Sequence, residues 1–202
     1  MANFSEAVKK VLDLEGGYQD FVNDTGNYNS RGELVGTNRG ISAPVYESWI
    51  GRPPSREEMK AITRATAEEI YRKKYWLPIQ GDRINPQYLA EIIFDGKVNQ
   101  GQKGIMLLQE ALGVPADGII GPITLAAISR VNPARLHDEY KRRRIAFYRQ
   151  LAASNSSYSQ FLAGWLNRMD NFKPQSQGSA LPILLLALGF IAYKNRYSCI
   201  YR

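Results

Sequence analysis

One cysteine and one histidine are all that this chain has of either residue, and the shortage removes several chemistries at once. Cys199 alone cannot form an internal disulfide. His137 alone rules against a histidine-rich metal site, and it would have to serve any Ser/His/Asp triad by itself. A Cys/His pairing would draw on Cys199, at the extreme end of a hydrophobic tail and far from any plausible cleft. Hydrolytic chemistry is thereby narrowed to carboxylates, and neither a metal nor an organic cofactor is expected. No period of roughly 20 to 50 residues recurs, which argues against a solenoid. The N-terminus also lacks the apolar stretch of a secretory signal, because Glu6, Lys9 and Lys10 interrupt it early. The expectation is a chain held in the cytoplasm until release or export by another route.

What is present is a hydrophobic fraction of 44% over 202 residues, enough for a sizeable core in one compact domain or two small lobes. A net charge of +7 favours an anionic partner: nucleic acid, a membrane surface or the bacterial cell wall. Charge alone does not choose among them.

Phe4, Val8, Val11, Leu12 and Glu15 fall at helical spacing, with Ser5 available as an N-cap and Gly16-Gly17 as a stop. Residues 23–40, rich in Asn, Gly, Ser, Asp and Thr, read as a polar loop or a β-hairpin. Ser55 to Met59 and Thr66 to Trp76 read as two further helices, the second with Ala67, Ile70, Tyr71 and Tyr75 on one face. Helices are also expected over 86–100, 103–112, 122–131 and from Pro133 to Leu151. The last is strongly basic, with Leu136, Tyr140, Phe147 and Leu151 on its apolar stripe. Its run Lys141, Arg142, Arg143, Arg144 reads as a solvated face, or as an attraction for an anionic surface. The predicted organisation is mainly α, with one lobe over 1–100, a second over 101–172, a linker over 173–179 and a hydrophobic tail over 180–202. The apolar stretch 180–193 would span roughly 21 Å as a helix, against a hydrocarbon core of roughly 30 Å. Tyr193, Lys194, Arg196 and Tyr197 could anchor it at a membrane interface; the alternative is packing on the domain.

The chemistry concentrates at the end of the first helix. Glu15 follows the apolar face of Val8, Val11 and Leu12 and lies near the negative end of the helix dipole, so its carboxyl is expected to hold its proton near neutrality. That is what a glycosidic leaving oxygen requires of its general acid. The alternative is an ordinary ion pair at the helix end. Asp24, in the polar loop, would supply a second carboxylate in an unlike environment, the usual acid/base arrangement.

Glu15-Gly16-Gly17-Tyr18, then Asn23-Asp24, then Gly36-Thr37-Asn38-Arg39-Gly40-Ile41-Ser42 resembles the N-terminal signature of glycoside hydrolase family 108, bacterial and phage N-acetylmuramidases. Tyr75-Trp76, Phe94-Asp95-Gly96-Lys97-Val98-Asn99-Gln100-Gly101 and the stretch from Leu108-Gln109 to Thr124 are similar to its later blocks. The resemblance runs from about residue 4 to residue 172. It implies a lysozyme-like helical fold, cleavage between N-acetylmuramic acid and N-acetylglucosamine, and Glu15 as catalytic acid. The Glu15-to-Asp24 spacing with a threonine further on is also similar to the Glu, Asp, Thr arrangement of tailed-phage lysozymes. By that likeness Asp24 and Thr37 would position the attacking water, with Thr25 a competitor for Thr37. The chain departs from the family's short Asp-Pro-Gly-Gly run, having Thr25 to Val35 there instead, an insertion expected to reshape the cleft.

Asp95 and Asn99 are expected beside Glu15 as binding or supporting groups, or else as helix caps. Tyr18, Tyr75 and Trp76 offer sugar-stacking rings, although a core role suits Tyr75 and Trp76 better. Leu108 to Thr124 resembles the helical repeat of peptidoglycan-binding modules: Asp117-Gly118 makes a tight turn, Gly121 leaves room for close backbone approach, and Pro122 starts the next helix. Nucleic acid is not an expected partner, because the helix Ile123 to Ile128 offers no Arg, Lys or Gln to base edges. The overall expectation is a monomeric peptidoglycan hydrolase acting on glycan strands, with two rivals: a lytic transglycosylase, or a noncatalytic wall-binding or secretion-assisting protein.

Overall fold

The computed structural model describes residues 1–14 and 16–174. Glu15, on which the chemical argument turns, lies outside them, as does the apolar run 180–193. Among the described residues the architecture is helical and carries no sheet.

Helix α1, Phe4–Leu14, buries Ala7, Val8 and Val11. Its cap is Asn3 and not Ser5: the Asn3 Oδ1 accepts the Ser5 N–H at 2.8 Å, and the Asn3 carbonyl accepts from Ala7. The polar stretch after it is a loop, not a hairpin, held by the isolated antiparallel bridges Gln19 to Thr37, Tyr28 to Leu34 and Asn38 to Ile41. A helix that the periodicity did not announce follows: α2, Ala43–Ile50, has Pro44 in its first turn and ends at Gly51 in the left-handed conformation. Helix α3, Arg56–Lys60, opens with the reciprocal capping box of Ser55 and Glu58. Helix α4, Arg64–Tyr71, starts earlier than expected because Thr63 caps it; the chain then widens into a π-helical turn, Arg72–Trp76. That turn brings Trp76 against Phe94 at 5.4 Å between ring centroids, with Phe4 5.7 Å from Trp76. Trp76 is fully buried, so it belongs to the core, and its indole N–H donates to Asp82.

Helix α5, Gln87–Leu112, is broken at Gly101, whose φ of 56° and ψ of −130° suit glycine alone. The break falls between the two helices expected over 86–100 and 103–112. It folds the second arm back on the first so closely that a Cβ on Gly104 would lie 2.3 Å from the Gly96 carbonyl oxygen. Helix α6, Pro122–Arg130, and helix α7, Pro133–Ser154, close the second lobe, followed by α8, Ser156–Ser159, and α9, Leu162–Asp170. Gly121 is only the extended residue before α6, with nothing within 4 Å of a Cβ there; the close approach is made by Gly118, against Gln102. Gln109, buried, knits this turn together, donating to Asp117, the Ile119 carbonyl and Thr124 while accepting from the Gly118 N–H.

The main joint between the two regions is α5 against α7. The buried stripe of α7 runs through Leu136, Tyr140, Arg144 and Tyr148, while Phe147 and Leu151 are half-buried beside it. Arg144 therefore leaves the solvated run in which its neighbours place it. Tyr140 sends its hydroxyl into the notch between the two arms of α5, donating to the Gly104 carbonyl at 3.0 Å, and a Cβ on Gly96 would stand 1.9 Å from that oxygen.

Candidate functional site

The loop after α1 is organised by two amides. Gln19 pairs its backbone with Thr37 at 2.9 and 2.8 Å. Its side-chain N–H groups donate to Asn27 at 2.9 Å and Asp24 at 3.3 Å. Asn27, fully buried, returns a bond to the Gln19 oxygen and donates to the Phe21 carbonyl. Asp24 caps the short turn Thr25–Asn27, its Oδ1 accepting the Gly26 N–H at 2.9 Å. The Thr37 hydroxyl, nearly buried, donates to the Gly26 carbonyl of the same turn at 3.4 Å. Asp24 and Thr37 are thus brought together through Gln19 and Gly26, whereas Thr25 is exposed.

Tyr18 braces this loop. Its hydroxyl donates to the Val35 carbonyl at 3.0 Å, its ring lies against Gly36 so tightly that a Cβ there would stand 2.6 Å from it, and Lys60 sits over the ring at 5.1 Å. Burial and the nearby Asp20 raise the phenol above its ordinary value.

Asp95 and Asn99 share one side of α5. Asp95 is fully buried, with Oδ2 accepting from Arg144 at 2.7 Å and Oδ1 from Arg168 at 2.8 Å. Burial alone would raise its carboxyl, but the two guanidiniums hold it below the usual carboxylate range. Asn99, half-buried, turns its NH2 to the Asp95 carbonyl and Oδ1 at 2.9 and 3.1 Å. Arg144 is itself fully buried and also donates to Gln100 and to the Ile92 carbonyl. Neither arginine was singled out as a site residue by sequence reasoning; the available signal for Arg144 was its place four residues after Tyr140 and four before Tyr148 on the buried stripe.

Helix α1 packs on the first arm of α5, its Phe4 ring 6.2 Å from that of Phe94. Asn3 pairs with Gln87 at 2.6 and 3.1 Å, and Lys10 with Glu91 at 3.0 Å. A cavity of about 910 Å³ lined by Arg83, Tyr88, Leu125, Asn132 and Pro174 shares no residue with these groups. Among the described residues no His, Cys, Asp and Glu side chains gather as a metal site, and no helix is long and apolar enough to cross a membrane.

Residues 8–101 match the family model of glycosyl hydrolase 108, and residues 103–170 match that of a predicted peptidoglycan domain. The boundary between the matches falls at the Gly101 break. Among solved structures, that of SagA from Brucella abortus is 31% identical and superposes with a TM-score of 0.68, covering 86% of this chain and 97% of that one. No curated protein matches the chain. Two adjoining family matches that together span the helical body, and a solved relative aligned over nearly its whole length, lead to one conclusion: the chain belongs to the glycosyl hydrolase 108 family and is a peptidoglycan-cleaving glycoside hydrolase.

Proposed function

We propose that the protein is an N-acetylmuramidase that hydrolyses the β-1,4 bond between N-acetylmuramic acid and N-acetylglucosamine, with Glu15 as general acid and water delivered from the side of Asp24 and Thr37. The observation that carries this reading is the hydrogen-bonded loop in which Gln19 gathers Asp24 and Thr37 directly after α1. Asp24, held in place by the bonds from Gly26 and Gln19, is the proposed acceptor of the proton from the attacking water. Thr37 donates its proton to Gly26, which leaves its oxygen lone pairs as acceptors.

In the proposed reaction the Glu15 carboxyl gives its proton to the glycosidic oxygen as the bond from that oxygen to the anomeric carbon breaks. Water attacks the same carbon from the opposite face, and its proton passes to Asp24, giving an inverted product. Tyr18 and Asn99 are the proposed sugar contacts. Asp95 is assigned a supporting role, because both its oxygens are held by arginines. The region 103–170 keeps the enzyme on the wall.

The test is reducing-sugar release from purified peptidoglycan by the wild type and by Glu15→Gln, with mass analysis of the fragments. The expected result is muramic-acid reducing ends from the wild type and a loss of at least about a hundredfold in the variant. Equal rates would remove Glu15 from the chemistry. Fragments ending in 1,6-anhydromuramic acid would replace hydrolysis by intramolecular transfer.

A further inference from the structure

The peptidoglycan-binding region meets the hydrolase region at several places, Tyr88 against His137 and Gln80 against Ile120 among them, and one buried contact bears on a candidate substrate group. Arg144 and Arg168 come from α7 and α9, within the second match; Asp95 and Asn99 come from the first arm of α5, within the hydrolase match. Asp95 Oδ1 accepts from Arg168 Nε at 2.8 Å and from Asn99 Nδ2 at 3.1 Å, while Arg144 holds Oδ2 at 2.7 Å.

This geometry dictates which end of the Asn99 amide faces outward. Its two near neighbours on α5, the Asp95 carbonyl and the Asp95 carboxylate, are both acceptors, so only the NH2 can face them. The Asn99 Oδ1 then points the other way, as an acceptor without a partner among the described residues, on a side chain that is half-buried. An amide free to flip would present either end.

We infer that Arg168 and Arg144 are positioning residues that act through Asp95 to hold the Asn99 carbonyl oxygen toward an N–H or O–H donor of the amino-sugar substrate. The inference rests on the proposal that Asn99 is a sugar contact of the substrate cleft. The second region is then part of the catalytic framework as well as a wall anchor. The donor is of the acetamido or ring-hydroxyl class, since a lone carbonyl oxygen accepts and cannot donate. An anion is disfavoured at the same point.

The experiment is a double-mutant cycle in the full chain, reading kcat and KM for reducing-sugar release from soluble, uncrosslinked glycan strands, with Tm recorded for each variant. Asn99→Ala is expected to lower kcat/KM by about tenfold, the scale of one hydrogen bond, with Tm close to wild type. Arg168→Gln is expected to lower it comparably, and the double variant is expected to lose less than about twofold more than the weaker single variant. Losses that multiply to about a hundredfold would show Arg168 acting independently of Asn99 and overturn the inference. Should Arg168→Gln fail to fold, Asn99→Asp decides. It preserves shape but sets a second carboxylate against Asp95, so kcat/KM must fall, and a value kept at the wild-type level refutes the inference. The Glu15→Gln assay stands apart from this cycle: retained activity there removes the proposed acid while the coupling between Arg168 and Asn99 can still be read.

Discussion

Replacing Arg144 by leucine should destabilise the protein far more than the same change at the adjacent Arg143, and the structure sets the size of the gap. The Arg144 guanidinium is fully buried and donates to Asp95, Gln100 and the Ile92 carbonyl. Leucine fills much of the space but leaves Asp95 with Arg168 as its only cation among the described residues and strips two buried oxygens of a donor. Breaking a buried ion pair from one side costs about 3–5 kcal/mol. At about 2–4 °C of Tm per kcal/mol for a chain of this size, the expected drop is roughly 6–20 °C. Arg143 is more than a third exposed and pairs at the surface with Glu139 and Glu110. Its loss should cost no more than about 1 kcal/mol, or about 4 °C. Thermal unfolding followed by far-UV circular dichroism measures both. Equal drops would refute the claim that Asp95 depends on Arg144. A triple variant, Asp95→Leu with Arg144→Met and Arg168→Met, should recover part of the loss, because a buried charged cluster replaced as a whole leaves no unpaired charge, while Gln100 and the Ile92 carbonyl still lack the Arg144 donor.

Gly96→Ala should destabilise by about 1–3 kcal/mol through the clash of its methyl with the Tyr140 hydroxyl, 1.9 Å away, and Tyr140→Phe in the same chain should relieve part of it, as read by urea unfolding. Gly101→Ala should cost a similar amount, since the chain there holds a φ of 56° that alanine resists, and its Tm should fall with little change in helical content. His137 is buried, and its pKa is lowered by that burial from an ordinary 6.5, so the unfolded chain binds its proton first as pH falls. Its contribution to stability is complete above about pH 6.5 and declines below it. Tm measured from pH 7.5 to 5 should fall more steeply in the wild type than in His137→Leu, and parallel curves would contradict this account. Gln19→Ala should lower kcat by about tenfold or more while leaving wall binding intact, because it loosens Asp24 and Thr37 together; a pull-down on insoluble peptidoglycan beside the rate assay checks both halves.

Local signals carried much of the helical plan. Ser55 with Glu58, Pro122 and Pro133 mark helix starts, and each acts within its own turn. The helix Ala43–Ile50 escaped because it is short and its residues give only a weak apolar stripe, although Pro44 and Gly51 punctuate it on either side. Ser5 was displaced as a cap by Asn3, whose backbone is also tied to Gln87 far along the chain, a contact no local window contains. Arg144 was read with its charged neighbours, since a run of cations suggests solvent until a buried anion is known to stand opposite.

Composition and motif order were enough for the chemistry to look for: one histidine and one cysteine left carboxylates, and the ordered blocks from Glu15 to Thr124 named the family to which the chain belongs. The sequence also placed Asp95 and Asn99 on one side of one helix, because a helical repeat is a local property. What Asp95 does there depends on long-range packing. Its partners Arg144 and Arg168 lie 49 and 73 residues away, and the pairing exists because the Gly101 break folds α5 back so that α7 and α9 can close over it. Charge pairing across such distances is set by burial and packing, which no linear pattern encodes.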